Sequence, residues 1–122
     1  MKRNVLVAFL VFILGSISLI AADGMYKIEE LYAKNATLNG KNVIVRGQVV
    51  KISSGIMGKD WIHVQDNSKT TDKNKVIFTA KMGTTNVAPG DMVIAKGTLK
   101  ANVDLGAGYF YAVLIENSSF DK

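Results

Sequence analysis

Between Asn42 and Val50 the chain reads NVIVRGQVV, and its apolar residues fall on alternate positions: Val43, Val45 and Val49 share one side with Gly47, while Arg46 and Gln48 take the other. A period of two is that of an extended strand with one buried face. A glycine inside such a run marks a bend or a close backbone approach. This pattern predicts a long first strand from Lys41 to about Ser53. The same alternation recurs in Asp60 to Gln65, Val76 to Ala80, Met92 to Leu99 and Tyr109 to Glu116, with turn-rich segments between them. Helical spacing appears once, in Ile28, Leu31 and Tyr32, which predicts a single helix from Met25 to Asn35 with Glu29 and Glu30 near its start and Lys34 near its end.

One short helix followed by five strands, the first long and bent at Gly47, predicts an all-β fold: a small five-stranded barrel of the OB type preceded by a short N-terminal α-helix. Val43, Val45, Val49, Ile62, Val64, Val76, Phe78, Val93 and Ala95 are expected to face inward. The stretch from Asp66 to Asn74 is polar throughout and reads as a solvated loop. Gly106-Ala107-Gly108 opens a strand, whereas a dinucleotide-binding glycine motif opens a helix, so it reads as a turn.

The first residues have a different character. Lys2 and Arg3 precede an apolar run from Val5 to Ile20, and Ala21-Ala22-Asp23 ends it with small residues. This is the layout of a secretory signal, and the run is shorter than the roughly 20 residues that span a bilayer. The expected organisation is a signal peptide over 1–22, cleaved near Ala22, and one OB-fold domain over 23–122. The mature protein would then be periplasmic or secreted, without stable membrane insertion, and monomeric. Loss of Lys2 and Arg3 leaves 13 basic against 10 acidic residues, a net charge of +3. That modest charge, with no run of adjacent Lys or Arg, makes nucleic acid the less favoured partner. The chain has no cysteine, so neither disulfides nor thiolate ligands are available to it.

The strings GKNVIVRGQVVKIS, WIHVQD, VAPGDMVIAKGTL and GAGYFYAVLIEN together resemble secreted single-domain OB-fold proteins of bacteria. These are nucleic-acid-binding-like, and some are associated with periplasmic nitrite-reducing cytochromes. The resemblance runs from Tyr26 to Asn117 and implies a binding module, with periplasmic redox proteins as partners. The glycine that commonly follows the aspartate of the second strand is replaced here by Asn67-Ser68-Lys69 and a longer polar loop.

Candidate chemistry concentrates in Ile56 to Asp66, IMGKDWIHVQD, which holds the only tryptophan and the only histidine. Alternation puts Ile62 and Val64 on the core face and Trp61, His63 and Gln65 on the other. Met57, in the turn before, can fold over that face. No hydrolase or transferase constellation accompanies them, because Ser53 and Ser54 near one histidine do not make a triad. The chain is therefore read as a binding protein and not as an enzyme.

Three readings of this segment stay open. A thioether and a neutral imidazole suit a soft ion such as Cu(I) or Ag(I), and an indole face can add a cation–π contact. The metal set would be Met57, His63, Trp61 and Met82, with Met92 or Met25 as other sulfur donors. It resembles the secreted OB-fold copper and silver metallochaperones of metal-efflux systems, which implies metal-handling proteins as partners, although the paired methionines of that family are missing. In the second reading Trp61 is a stacking platform for a base or sugar, with Lys59, Lys81 and Arg46 steering the ligand. In the third, Trp61 caps the barrel, His63 is a half-exposed strand residue and Met57 fills a gap. Tyr109 and Tyr111, at strand spacing, are expected to be barrel packing, and Met82 and Met92 core filler.

Overall fold

A computed structural model describes residues 24–122; the expected signal peptide over 1–22 lies outside the described residues. Two short helices, α1 (Ile28–Ala33) and α2 (Asn35–Leu38), precede β1 (Asn42–Ile56), β2 (Lys59–Gln65), β3 (Lys75–Lys81), β4 (Met92–Gly106) and β5 (Tyr109–Asp121). The strands close into a barrel in the order β1-β2-β3-β5-β4. Every neighbouring pair is antiparallel except β3 and β5, which meet in parallel at Phe78 and Ile115. The all-β barrel expected from the alternation is thus present. Among the described residues no helix is long and apolar enough to cross a membrane.

All nine residues expected inward are buried, from Val43 on β1 to Ala95 on β4. Leu99, Val113 and Ile115 complete the barrel interior, and Ile28, Leu31 and Leu38 from the helices join the same core. Gly47 sits where β1 bends against β2. A Cβ there would lie 2.6 Å from the Gln65 carbonyl oxygen and 2.8 Å from Val64 Cγ1, so any side chain would displace backbone. Gly97 on β4 is equally confined, with Ile115 Cγ2 at 2.5 Å and the Glu116 carbonyl oxygen at 2.8 Å from its notional Cβ. The two glycines let the strands cross closely enough for the barrel to close.

Several expected boundaries are corrected. The single helix over Met25 to Asn35 is two pieces, because Lys34 leaves helical geometry between them. Met25 instead bridges in parallel to Ile44 on β1, and Tyr26 donates its N–H to the Ile44 carbonyl at 2.9 Å. β4 runs to Gly106 and β5 to Asp121, well past the expected ends at Leu99 and Glu116. They pair along most of their length, from Ile94 with Asp121 to Gly106 with Tyr109.

The polar stretch after β2 is no simple solvated loop. Asp66 Oδ2 accepts the Ile28 N–H at 2.7 Å and Ser68 Oγ accepts the Glu29 N–H at 3.0 Å, so two orphan donors at the start of α1 are satisfied by a segment far away in sequence. Ser68 is buried by this contact. The polarity of Asp66 and Ser68 serves to hold the helix over one end of the barrel.

Candidate ligand cleft between two hairpin tips

Two hairpins border a cleft of about 470 Å³ on the outer face of β2 and β3. One is the β1–β2 hairpin, whose two-residue loop is Met57-Gly58, flanked by the pair Ile56 and Lys59. The other is the β4–β5 hairpin, whose loop is Ala107-Gly108, flanked by Gly106 and Tyr109. Both central residues have positive φ in each loop: 55° and 75° in the first, 55° and 86° in the second. Tight loops of this kind match the twist of a hairpin and favour Asn-Gly. Met57 and Ala107 therefore hold left-handed backbone positions where asparagine is the usual occupant.

The floor comes from β2. Trp61 and His63 do share the outer face, as alternation requires, and both line the cleft. Trp61 is nevertheless only 7% exposed. Its indole N–H donates to the Ile56 carbonyl at 2.8 Å, and the Tyr111 ring lies against it with centroids 6.1 Å apart, tilted by 39°. The indole is thus a wall that also clamps the hairpin carrying Met57. Asp60, buried and facing the other way, holds the same hairpin: its carboxylate accepts the Gly55 N–H at 3.3 Å and the Gly83 N–H at 3.1 Å.

His63 is half-buried beside Lys51 and Lys75. Burial, with those two lysines adding, pushes its imidazole below the ordinary value and keeps the ring neutral near pH 7. A neutral imidazole can accept a hydrogen bond or hold a soft metal ion. Ser53 also lines the cleft, and among the described residues no hydrogen bond joins it to His63.

The sequence-predicted sets are only partly brought together. Met57, Trp61 and His63 line this one cleft, and Met82 and Met92 do not. Met82 places its sulfur beside Gly55, 3.5 Å from where a Cβ would stand, and Met92 lines a separate cleft with Met25 and Arg46. The expectation that Met82 and Met92 fill the core is overturned, since Met25, Met57, Met82 and Met92 are all more than half exposed. The steering cations also disperse: Lys59 and Lys81 line a third cleft, and Arg46 the one with Met25. Among the described residues no group of three or more His, Cys, Asp or Glu side chains gathers into a metal-binding cluster.

Sequence reasoning missed Tyr109, Tyr111 and Lys51. Tyr109 is 61% exposed and lines the cleft, so it is not barrel packing, whereas the part-buried Tyr111 lines the cleft and also packs on Trp61. The available signal was GAGYFY, where an exposed-face aromatic follows a tight turn. Lys51 could have been found from the strand pairing that sets it opposite His63.

No protein-family model matches the chain, and no curated relative matches it. Solved structures do. One is a lipoprotein of Klebsiella pneumoniae with a provisional nucleic acid-binding name; it is 22% identical, covers 86% of this chain and 97% of its own, and superposes with a TM-score of 0.55. Another is an OBody bound to hen egg-white lysozyme, 20% identical over 69% of this chain and 82% of its own, with a TM-score of 0.50. At these identities the likeness establishes an OB-type fold.

Proposed function

We propose that the chain is an exported OB-fold binding module that takes a ring-bearing ligand, a sugar or a base, between its β1–β2 and β4–β5 hairpin tips. The observation that carries this reading is the assembly of Trp61 and His63 from β2 with Tyr109 and Tyr111 from β5 along one cleft. Aromatic walls offer flat apolar faces to sugars and bases, and stacking on such a face is worth about 1–3 kcal/mol per base. The cleft volume lies within the range typical of small-ligand sites, and the position between the loops joining β1 to β2 and β4 to β5 is where OB-folds bind oligonucleotides and oligosaccharides. Only Lys51 supplies a charge in the cleft, so binding there should depend weakly on salt. Export is inferred from the charged start and apolar run ahead of Asp23. Binding is assigned here, with no catalytic role.

Trp61 is the only tryptophan, so its emission reports on the cleft without ambiguity. Titration of the mature protein with a chitin oligosaccharide and, separately, a thymidine oligonucleotide should give a saturable change with one of them, lost in Tyr109→Ala. No change with either ligand would overturn the reading.

A second reading is favoured by one specific observation: Met57 and the neutral His63 line the same cleft, with the Trp61 indole beside them. These donors suit Cu(I) or Ag(I), and periplasmic redox or metal-handling proteins would then be partners. Ag(I) should quench Trp61 at one equivalent in the wild type and fail to do so in both Met57→Leu and His63→Ala. Equal quenching in all three proteins excludes this site.

A further inference from the structure

Lys59 and Lys81 are direct cross-strand partners on β2 and β3. Their Cβ atoms stand on one face about 5 Å apart, an arrangement in which like charges destabilise the sheet. Among the described residues neither lysine is in an ion pair; the two pairs present are Lys27 with Glu29 and Lys122 with Asp91. Asp60, the carboxylate nearest in sequence, is turned inward onto Gly55 and Gly83. The repulsion between the two lysines is left uncompensated by the protein itself.

The space between these residues is a cleft of about 240 Å³ lined by both lysines with Thr79 and Asn117. Asn117, held at a φ of 54°, also lines the adjoining cleft of about 280 Å³ beside Lys96 and Ser119. No acidic residue lines either space. Three ammonium groups, the side-chain amides of Asn42 and Asn117 and the hydroxyls of Thr79 and Ser119 thus border two adjoining clefts that meet at Asn117.

We propose that Lys59 and Lys81 form an oxyanion site that takes a phosphate or sulfate group, with Asn117 as the neutral donor and Lys96 extending the site along an anionic chain. A tetrahedral oxyanion between two ammonium groups converts their repulsion into two charge-assisted hydrogen bonds. The site lies on the same face of β2 as Trp61, two residues and so about 7 Å away along the strand. Neither lysine lines the aromatic cleft, so the proposal stands or falls independently of what that cleft binds.

The test uses the full mature protein and compares Lys59→Gln/Lys81→Gln with Lys41→Gln/Lys100→Gln, which removes the same charge from exposed strand and loop positions elsewhere. Without added anion, the first variant should melt at a higher temperature than wild type because the repulsion is gone. Inorganic phosphate and a heparin-derived oligosaccharide are then titrated separately at constant ionic strength. The site predicts stabilisation of wild type and of the control variant, with binding roughly tenfold weaker or more in Lys59→Gln/Lys81→Gln. Stabilisation by phosphate identifies the free oxyanion as sufficient; stabilisation by the oligosaccharide alone assigns the site to the chain-borne ester. Equal weakening in both variants, or no stabilisation of wild type by either anion, overturns the proposal.

Discussion

The indole N–H of Trp61 donates to the carbonyl of Ile56 at 2.8 Å, tying the floor of the cleft to the hairpin that forms one of its walls. Trp61→Phe keeps a ring against Tyr111 but removes this bond. The expected cost is about 1–2 kcal/mol, the range for losing a hydrogen bond at a largely buried site. Thermal unfolding measures the cost, and faster amide exchange around Met57 locates it in the hairpin. Unchanged exchange there would show that Asp60 alone fixes the hairpin.

Met57 holds a backbone φ of 55° in a two-residue loop where asparagine followed by glycine is the favoured pair. Met57→Asn should therefore raise stability by about 0.5–1 kcal/mol, since the left-handed conformation is less strained for asparagine. The same change removes the thioether from the cleft, so Ag(I) quenching of Trp61 should weaken. A variant that is both more stable and a poorer metal binder is the signature of a residue kept for its side chain. Lower stability with intact quenching counts against that account.

Replacing Gly47 by alanine puts a Cβ 2.6 Å from the Gln65 carbonyl oxygen, a contact that only a backbone shift can relieve. Overpacking of this kind typically costs about 1–3 kcal/mol. Urea denaturation of Gly47→Ala should show a lower midpoint with a similar slope. An unchanged midpoint would mean that β1 and β2 are less tightly crossed than this contact implies.

Stability should also depend on pH through His63, whose imidazole is held below its ordinary value first by burial and then by Lys51 and Lys75. In the window between the folded value and the unfolded one near 6.5, the unfolded chain binds the proton more readily. Stability from this source is complete above about pH 6.5 and falls as the pH drops through the folded value. His63→Gln should flatten that part of the melting-temperature profile relative to wild type. If both profiles have the same slope between pH 5 and 7, His63 is not the group responsible.

How much of this was legible from residues alone can be followed strand by strand. The alternation of Val43, Val45 and Val49, and of Ile62 and Val64, specified both the strands and their buried face, because a period of two is a local property of extended backbone. The extension of β4 past the expected end at Leu99 was not read, although Ala101, Val103 and Leu105 alternate with Lys100, Asn102 and Asp104, because their burial is only partial. The end of β5 was not read either, since Phe120 is the single apolar residue in the otherwise polar stretch from Asn117 to Lys122 and the pairing to β4 is made by the backbone.

What sits beside what was decided by tertiary structure. Alternation could place Trp61 and His63 on one face, but only barrel closure brings Tyr111 to within 6.1 Å of Trp61 from fifty residues away in the chain. The same closure places Arg46 and Met92 in a different cleft from Met57, and turns Asp66 and Ser68 from loop residues into the cap of α1. Side-chain periodicity is set by the backbone's own geometry and survives in the sequence. Which faces meet is set by strand register and by close crossings at Gly47 and Gly97, where distant segments exclude one another's atoms.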